Sequence, residues 1–326
     1  MVRRVQPGLE ESIERAVFAD GRLWLLTDSG QLSSVQENQD QRVEESLPQP
    51  TLELCRQDGA PVAITCDRES CSTWEIRRRS GVSWSTEASV STNGDKLIAA
   101  SCFPDRMTLL SSRRLVEVVG VGAGAGGKTR DVTLSEPLRG GLIAVIFEDD
   151  RQLLVGINAG EWGGGLRRID RSSGKVTKIE RNDSGALCGG PLTTGCDPVN
   201  GIAAEPWRPG CVTAVIGMSH FGTHGRIVEV CGDQVNPLYS QALGKDGWHT
   251  VAFWGIARSG DGLWAAAMDG LYRIEKGQVA DAIPLPAFRS AGNSSVSFAI
   301  PELVLLVTTI NARASVSGPS LLVVPR

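Results

Sequence analysis

The chain contains three histidines, His220, His224 and His249. Imidazole nitrogens bind zinc and similar divalent metals, and they transfer protons near neutral pH. The sequence therefore predicts one of two sites: a metal centre with all three histidines as ligands of a divalent metal ion, or a catalytic site in which His220, His249 and Glu161 act as general acids and bases. The glycine-containing HFGTH motif lacks the helical HExxH pattern of metalloproteases. Alternatively, these histidines are polar loop residues that bond to nearby backbone.

Aromatic and polar side chains accompany the histidines. Trp162 lies in the glycine-rich stretch GEWGGG, where an exposed indole would stack on a sugar ring, an aromatic group or an apolar group. Alternatively, Trp162 packs on a neighbouring loop. The predicted ligand-binding residues are Trp162, Trp248, Asp197 and Asn200.

Repeated hairpins indicate how these residues come together. The segments VGINAGEWGGGLRRID (155–170) and VIGMSHFGTHGRIVEV (215–230) each consist of an apolar run, a glycine-containing loop and a second short strand. Worn or shorter copies occupy residues 23–35, 263–274 and 309–325. Hairpins repeated every few tens of residues are typical of propellers and solenoids. Apolar runs alternate with turn residues, and helix signals are nearly absent. We predict an all-β chain that forms one seven-bladed β-propeller domain over residues 1–326, with six or eight blades as alternatives.

The spacing of apolar runs also predicts the innermost strand of each blade. These strands are placed at residues 16–19, 62–66, 97–102, 142–147, 201–204, 251–257 and 297–300. The last blade stops after its third strand, residues 321–325. An N-terminal strand at residues 2–6 is predicted to complete this blade and close the ring, which removes an exposed sheet edge.

Two segments resemble a known blade motif. DGRLWLLTDSGQLSSV (20–35) and GDGLWAAAMDGLYRIEKG (260–277) are similar to the blades of two-component-regulator and virginiamycin-lyase-like propellers, in which a G-x-LW strand precedes a GL-x-RI strand. The resemblance covers two clear blades and one or two faint ones. It implies a propeller with a ligand funnel at one end of a central channel. It implies no catalytic residue, because the histidine motifs of the lyase-type family are not matched.

Blade topology predicts one rim for the candidate residues. In a four-stranded meander, the turn between the second and third strands lies at the same end as the connection between blades. Glu161, Trp162, His220 and His224 fall in such turns, whereas Asp197, Asn200, Trp248 and His249 precede innermost strands. We therefore expect all eight side chains around one funnel, with high walls at the fourth and fifth blades and an open side at the sixth.

The eight cysteines predict four disulfides. Cys211 opens one repeat strand and Cys231 closes its partner, so the two would face each other across the hairpin. Cys188 and Cys196 bracket one short loop, and Cys66 and Cys71 bracket another. Cys55 and Cys102 are the remaining pair. Buried free thiols are the alternative, and zinc is disfavoured because no CxxC spacing occurs.

Composition excludes several classes of function. The net charge is −4 without a basic stripe, so nucleic-acid binding is not expected. No apolar run is long enough for a membrane helix. The segment GAGAGGKT (122–129) satisfies the P-loop pattern, but the residues after Lys128 are typical of a hairpin rather than of a helix.

The N-terminus shows no signal peptide. The cysteines nevertheless predict a secreted or periplasmic protein whose signal peptide has been removed.

The sequence favours a binding protein over an enzyme. A rigid ring with variable loops at one end is typical of recognition platforms, and no complete catalytic set is present. We predict a monomer that binds a small molecule, glycan or protein at the rim. The alternative is a metal- or histidine-dependent lyase or hydrolase that acts on a carbohydrate, a lactone or a similar small polar substrate.

Overall fold

The computed structural model describes residues 3–5, 13–36, 42–67, 70–121, 127–138, 143–186, 188–219, 222–244, 249–284, 294–300, 303–308 and 320–325. In this part of the chain, nearly all regular structure is β-strand, and the only helical element is a 3-10 turn at Gly160–Trp162. None of the helical structure described here has the length and apolar character needed to cross a bilayer. The chain divides into two compact units, Met1–Thr133 with Arg289–Arg326, and Leu134–Phe288.

The first unit begins with one short strand, β1, and continues as three four-stranded antiparallel meanders. Its first thirteen strands are β1 (Arg3–Val5), β2 (Ile13–Ala19), β3 (Arg22–Thr27), β4 (Leu32–Gln36), β5 (Arg42–Glu45), β6 (Thr51–Gln57), β7 (Ala60–Thr65), β8 (Thr73–Ser80), β9 (Ser83–Ser91), β10 (Leu97–Cys102), β11 (Arg106–Ser111), β12 (Arg114–Val119) and β13 (Lys128–Thr133). Strands β2–β5 form blade 1, β6–β9 form blade 2 and β10–β13 form blade 3.

The second unit consists of three further meanders and one short ribbon. Its strands are β14 (Ile143–Glu148), β15 (Gln152–Asn158), β16 (Gly164–Asp170), β17 (Val176–Ile179), β18 (Val199–Ala204), β19 (Cys211–Ser219), β20 (Thr223–Cys231), β21 (Gln234–Tyr239), β22 (Ala242–Leu243), β23 (His249–Thr250), β24 (Phe253–Ser259), β25 (Gly262–Ala267), β26 (Gly270–Glu275) and β27 (Gln278–Pro284). Blade 4 is β14–β17, blade 5 is β18–β21 and blade 6 is β24–β27, while β22 and β23 form the ribbon.

The last sheet combines both ends of the chain within the first unit. Its strands β28 (Ser294–Ile300), β29 (Leu303–Thr308) and β30 (Ser320–Pro325) are joined by β1, which pairs with β30 so that Arg3 faces Val323. The structure is thus a β-propeller with six blades of continuous chain, rather than the seven predicted, and the first unit also contains this composite sheet.

The first strands of neighbouring blades within each unit contact one another, as innermost strands do. These contacts join β2 to β6, β6 to β10, and β2 to β28 in the first unit, and β14 to β18 and β18 to β24 in the second. The predicted innermost strand at residues 62–66 was wrong, because this segment belongs to β7, the second strand of blade 2. The first strand is β6. Five of the six residues of β7 are buried, whereas β6 alternates, so the second strand has the stronger apolar signal.

A β-bulge recurs in the six continuous blades. Pairing between the first and second strands skips one residue near the start of the first strand in every case. The skipped residues are Glu14, Leu52, Ile98, Ala144, Asn200 and Trp254. Because a bulge re-aims the side chain that it carries, these residues depart from the alternation of their strands.

All eight cysteines are paired as predicted. The disulfides are Cys55–Cys102, Cys66–Cys71, Cys188–Cys196 and Cys211–Cys231. The first joins β6 of blade 2 to β10 of blade 3, and the last joins β19 to β20 at directly opposed positions. The P-loop interpretation was rightly set aside, since Lys128 begins strand β13 and not a helix.

Candidate functional site

The turn between β15 and β16 presents an indole to solvent. It contains the 3-10 element Gly160–Trp162, and the Trp162 side chain is 81% exposed. Asn158 begins the turn by accepting a hydrogen bond from the Gly160 N–H through Oδ1, at 2.8 Å. Glu161 is also exposed. The structure thus favours display of Trp162 over the alternative that it packs on a neighbouring loop.

Three glycines after Trp162 let this turn pack closely against the segment that leads into blade 5. Gly163, Gly164 and Gly165 have φ angles of 82°, 146° and 80°, which disfavour other residues. A Cβ on Gly165 would lie 2.8 Å from Thr194 Oγ1. The Gly164 N–H donates to the Thr194 carbonyl (2.8 Å), and the Gly165 N–H donates to the Asp197 carbonyl (2.7 Å). The exposed indole therefore sits on a braced turn.

Asp197 is the centre of a polar network under this turn. Its side chain is fully buried, and its carboxylate accepts from three groups: His224 Nε2 at 2.7 Å, an Arg226 guanidinium nitrogen at 2.5 Å and the Thr193 N–H at 2.6 Å. A buried carboxylate is tolerated only when it is paired and hydrogen-bonded in this way. Because it has no exposed surface, Asp197 acts on a ligand only by positioning His224 and Arg226.

Arg226 was missed by the sequence analysis. It lies two residues after His224 on β20, so both side chains emerge from the same face of the strand. Arg226 also donates from Nε to the Pro191 carbonyl at 2.7 Å. The H-x-R spacing of His224 and Arg226 could have predicted that both side chains share one face of a strand. Only the structure shows that both bond to the buried carboxylate of Asp197.

His249 lies where blade 5 leads into blade 6. It is the first residue of β23 and is exposed. Its Nδ1 accepts from the Thr223 N–H at 3.4 Å, and the next residue, Thr250, exchanges hydrogen bonds with the Gly225 backbone. The end of the blade 5 hairpin and the blade 6 entry thus meet at one end of the second unit.

Asn200, the bulged residue of β18, holds blades 5 and 6 together. Its amide donates to the Gly217 carbonyl (2.7 Å) and the Phe253 carbonyl (2.9 Å), and its Oδ1 accepts from Asn158 (2.7 Å). Both amide hydrogens are used in these bonds. The structure thus gives Asn200 a positioning role, because it links the ends of strands in blades 4, 5 and 6.

Two predicted residues, His220 and Trp248, lie outside the described part of the chain. Among the residues that are described, no three His, Cys, Asp or Glu side chains are arranged to hold a metal ion. The metal set of His220, His224 and His249 therefore stays a prediction. We refer to Trp162, Asp197, His224, Arg226 and His249 as the rim residues.

Comparison with solved structures places the fold among the β-propellers. YCF48 from Cyanidioschyzon merolae is 13% identical with a TM-score of 0.60, over 99% of this chain and 98% of that one. YCF48 bound to D1 peptide gives 11% identity and a TM-score of 0.61, over 100% and 97%. The extracellular domain of BT4673 from B. thetaiotaomicron gives 16% and 0.52, over 98% of this chain and 39% of that one.

The fold is a β-propeller. At these identities, the similarity establishes the fold alone. No protein-family model matches the sequence, and no curated protein matches it either.

Proposed function

We propose that this protein is a recognition module that binds a peptide segment of a partner protein at the rim residues. The main observation in support is that Trp162 is exposed on a turn that backbone hydrogen bonds hold in place. Tryptophan is among the residues that contribute most to binding at protein interfaces, and it loses little conformational entropy when its support is rigid. His224, whose side chain is 28% exposed, and the exposed His249 add hydrogen-bonding groups to the same unit.

A peptide fits this surface better than a strongly charged ligand. The charges of Asp197 and Arg226 are paired with each other, so the network offers orientation and hydrogen bonding rather than net charge. YCF48 has been solved with a D1 peptide, which supports peptide binding as a use of this fold. A ligand would enter over the short blade 6 turn at Met268–Asp269, which joins β25 to β26.

We further propose that the protein is exported and functions as a monomer. Four disulfides persist in oxidising compartments such as the periplasm or the extracellular space, and BT4673 is a propeller neighbour described as an extracellular domain. Thiol titration of the unfolded, unreduced protein from its native host should find no free thiol. Eight free thiols would refute export to an oxidising compartment.

Both units are proposed to belong to one propeller domain. In this proposal β1 closes the ring by completing the composite sheet. Pairing of the chain ends in one sheet supports it, because such pairing removes the free edge of β30.

The binding proposal is tested by selecting peptides from a displayed random library on the immobilised protein. Affinities of the selected peptides are then measured for Trp162→Ala and for Val82→Ala, a control at a side chain that is 92% exposed on the β8–β9 hairpin. We expect Trp162→Ala to weaken binding at least about tenfold, a loss typical of a central interface tryptophan, and Val82→Ala to leave it unchanged. Selected peptides that bind both variants equally would refute the rim as the site.

The alternative activity has one specific observation in its favour. A buried carboxylate that fixes the imidazole of His224 resembles the orienting pair of general acid–base catalysts, and in a neutral ring the opposite nitrogen, Nδ1, would accept a proton. Elemental analysis that finds a stoichiometric divalent ion, lost in the His220→Ala/His249→Ala double variant, would favour the metal-dependent lyase or hydrolase over the binding protein.

A further inference from the structure

The Cys188–Cys196 disulfide closes a segment that supports the rim residues, and we call residues 188–196 the support loop. The Pro191 carbonyl of this loop accepts a hydrogen bond from Arg226 Nε at 2.7 Å. The Thr194 carbonyl accepts one from the Gly164 N–H at 2.8 Å. The support loop therefore holds both the arginine of the polar network and the turn that displays the indole.

Cys188 is the most accessible cysteine of the chain. All eight cysteines lie in the part of the chain that the structure describes, and Cys188 alone is exposed. Cys66 and Cys211 are buried, and the other five are half-buried. Thiol–disulfide exchange requires that a thiolate approach one sulfur directly, so access decides which bond reacts. An external thiolate therefore reaches this disulfide more readily than the other three.

The backbone at Cys188 also favours opening of the bond. Its φ angle is 61°, in the left-handed region that residues with a Cβ seldom adopt. Among the described residues, no other cysteine has a positive φ. Such a conformation persists only where the surrounding structure holds it, and the disulfide is a covalent constraint at this position. Cleavage lets Cys188 leave this conformation, which adds to the driving force for reduction.

The middle of the support loop stays anchored when the bond is open. Leu192 is fully buried in a core formed with strands of blades 4 and 5, and its backbone exchanges hydrogen bonds with Arg181 at 2.8 and 3.2 Å. The bond spans only 8 residues, whereas Cys55–Cys102 spans 47, so it constrains the unfolded chain less. Reduction should therefore loosen the ends of the loop without unfolding the blades.

We propose that the Cys188–Cys196 bond is a site of reversible thiol–disulfide exchange that regulates binding at the rim residues. Its reaction partner is a dithiol. One thiolate of the dithiol attacks Cys188 Sγ to form a mixed disulfide, and the electron pair of the broken bond leaves on Cys196 Sγ, which takes a proton from water. The second thiol then displaces Cys188, so that two electrons and two protons pass from the dithiol to the protein.

The oxidised and reduced forms differ in how firmly the rim is held. In the oxidised protein, the support loop fixes Arg226 and the turn of Trp162, and the rim binds its peptide with full affinity. In the reduced protein, these supports loosen and the affinity falls, because a binding surface that must be ordered on binding binds more weakly. The regulation of binding rests on the proposed function, whereas the reactivity of the bond does not.

Graded reduction of the intact, folded protein tests the reactivity. The protein is incubated with increasing dithiothreitol in the absence of denaturant and then alkylated, and each cysteine pair is quantified by peptide mass spectrometry. We expect Cys188 and Cys196 to be alkylated at least about tenfold faster than the Cys211–Cys231 pair. Earlier reduction of another disulfide, or reduction of all four together, would overturn the proposal.

Peptide affinity tests the regulation. Peptides selected on the oxidised protein should bind the Cys188→Ser/Cys196→Ser double variant several-fold more weakly, while the variant keeps a cooperative thermal transition. Cys211→Ser/Cys231→Ser is the matched control, because this pair lies at the far end of the β19–β20 ladder from His224. The control should lower the melting temperature but leave the affinity within about twofold.

Reduction of the wild type gives the same test without a substitution. Opening of the Cys188–Cys196 bond alone should lower the peptide affinity, and reoxidation should restore it. Peptides that require Trp162 but bind the oxidised and reduced forms equally would overturn the regulation and leave the proposed function standing. Peptides that bind Trp162→Ala as tightly as the wild type would overturn the proposed function and the regulation together.

Discussion

At the residue scale, the rim depends on one buried carboxylate. Asp197 fixes His224 and Arg226 and accepts from the Thr193 backbone, so one side chain orients two strand residues and the segment that supports Trp162. The sequence predicted all of the rim residues except Arg226 as candidate site residues. Their roles were not visible, because burial decides that Asp197 positions its neighbours while Trp162 is displayed to solvent.

Replacing Asp197 should therefore damage the fold, whereas replacing Trp162 should not. We expect Asp197→Ala to lower the free energy of unfolding by about 3–5 kcal/mol, because it leaves the guanidinium of Arg226 without its buried partner. Trp162→Ala should stay within about 0.5 kcal/mol of the wild type, since the indole is exposed. Urea unfolding followed by fluorescence measures both, and equal losses in the two variants would contradict this assignment.

Glu205 gives the fold a dependence on pH. Burial raises the pKa of this carboxyl above its usual 4.5, and the hydrogen bond from Thr213 opposes the shift only in part. A raised pKa means that the protonated form is favoured by folding. This contribution is complete below the unfolded pKa and is lost as pH rises through the folded pKa.

The effect of Glu205→Gln on the free energy of unfolding should therefore be more stabilising at pH 7 than at pH 4. The reason is that the glutamine amide keeps the hydrogen bond from Thr213 and never ionises. Urea unfolding of both proteins at the two pH values measures the difference. If the difference in free energy of unfolding between variant and wild type does not change with pH, Glu205 has an ordinary pKa in the folded state.

At the element scale, the blades of the second unit pack by close backbone approach. Gly217 on β19 faces β24, and a Cβ there would lie 2.5 Å from the Phe253 nitrogen and 2.8 Å from its carbonyl carbon. Asn200 bonds to the carbonyls of these same two residues. The junction of blades 5 and 6 thus needs a glycine and an amide at adjoining positions.

Gly217→Ala should lower the free energy of unfolding by about 1–3 kcal/mol, the usual cost of overpacking. Gly195→Ala is the matched control, because no described atom outside Gly195 and its two chain neighbours lies within 4 Å of a Cβ at that position. Thermal denaturation compares the two. A Gly217→Ala protein as stable as Gly195→Ala would mean that β19 and β24 are farther apart than described.

The elements themselves were predictable to different degrees. The strong hairpin repeats predicted blades 4 and 5, and the position of Cys211 opposite Cys231 followed from them. The innermost strand of blade 2 was misplaced because β7, buried on both faces, has a more continuous apolar run than β6. The bulges at Asn200 and its equivalents were not foreseen, since a skipped residue in a ladder depends on the partner strand and leaves no local pattern.

At the scale of the whole molecule, an N-terminal strand and three C-terminal strands form the composite sheet together. Strand β1 pairs with β30, so the first residues of the chain protect a sheet edge formed by the last. The repeat pattern anticipated this pairing because the last blade lacked one strand.

Deletion of residues 1–7 should lower the melting temperature and increase aggregation, because it exposes the edge of β30. Differential scanning calorimetry and light scattering measure these two effects. Deletion without either effect would mean that β1 does not protect the edge of β30, although the propeller fold itself would stand.

The most direct test of the rim is a hydrogen-exchange footprint of a selected peptide on the wild-type protein. Binding at the rim residues predicts slower exchange in residues 158–166, 223–226 and 249–251. The turns at the other end of the same blades, at residues 171–174, 206–210 and 232–233, should be unchanged. Protection confined to those opposite turns, or to the first unit, would contradict the account.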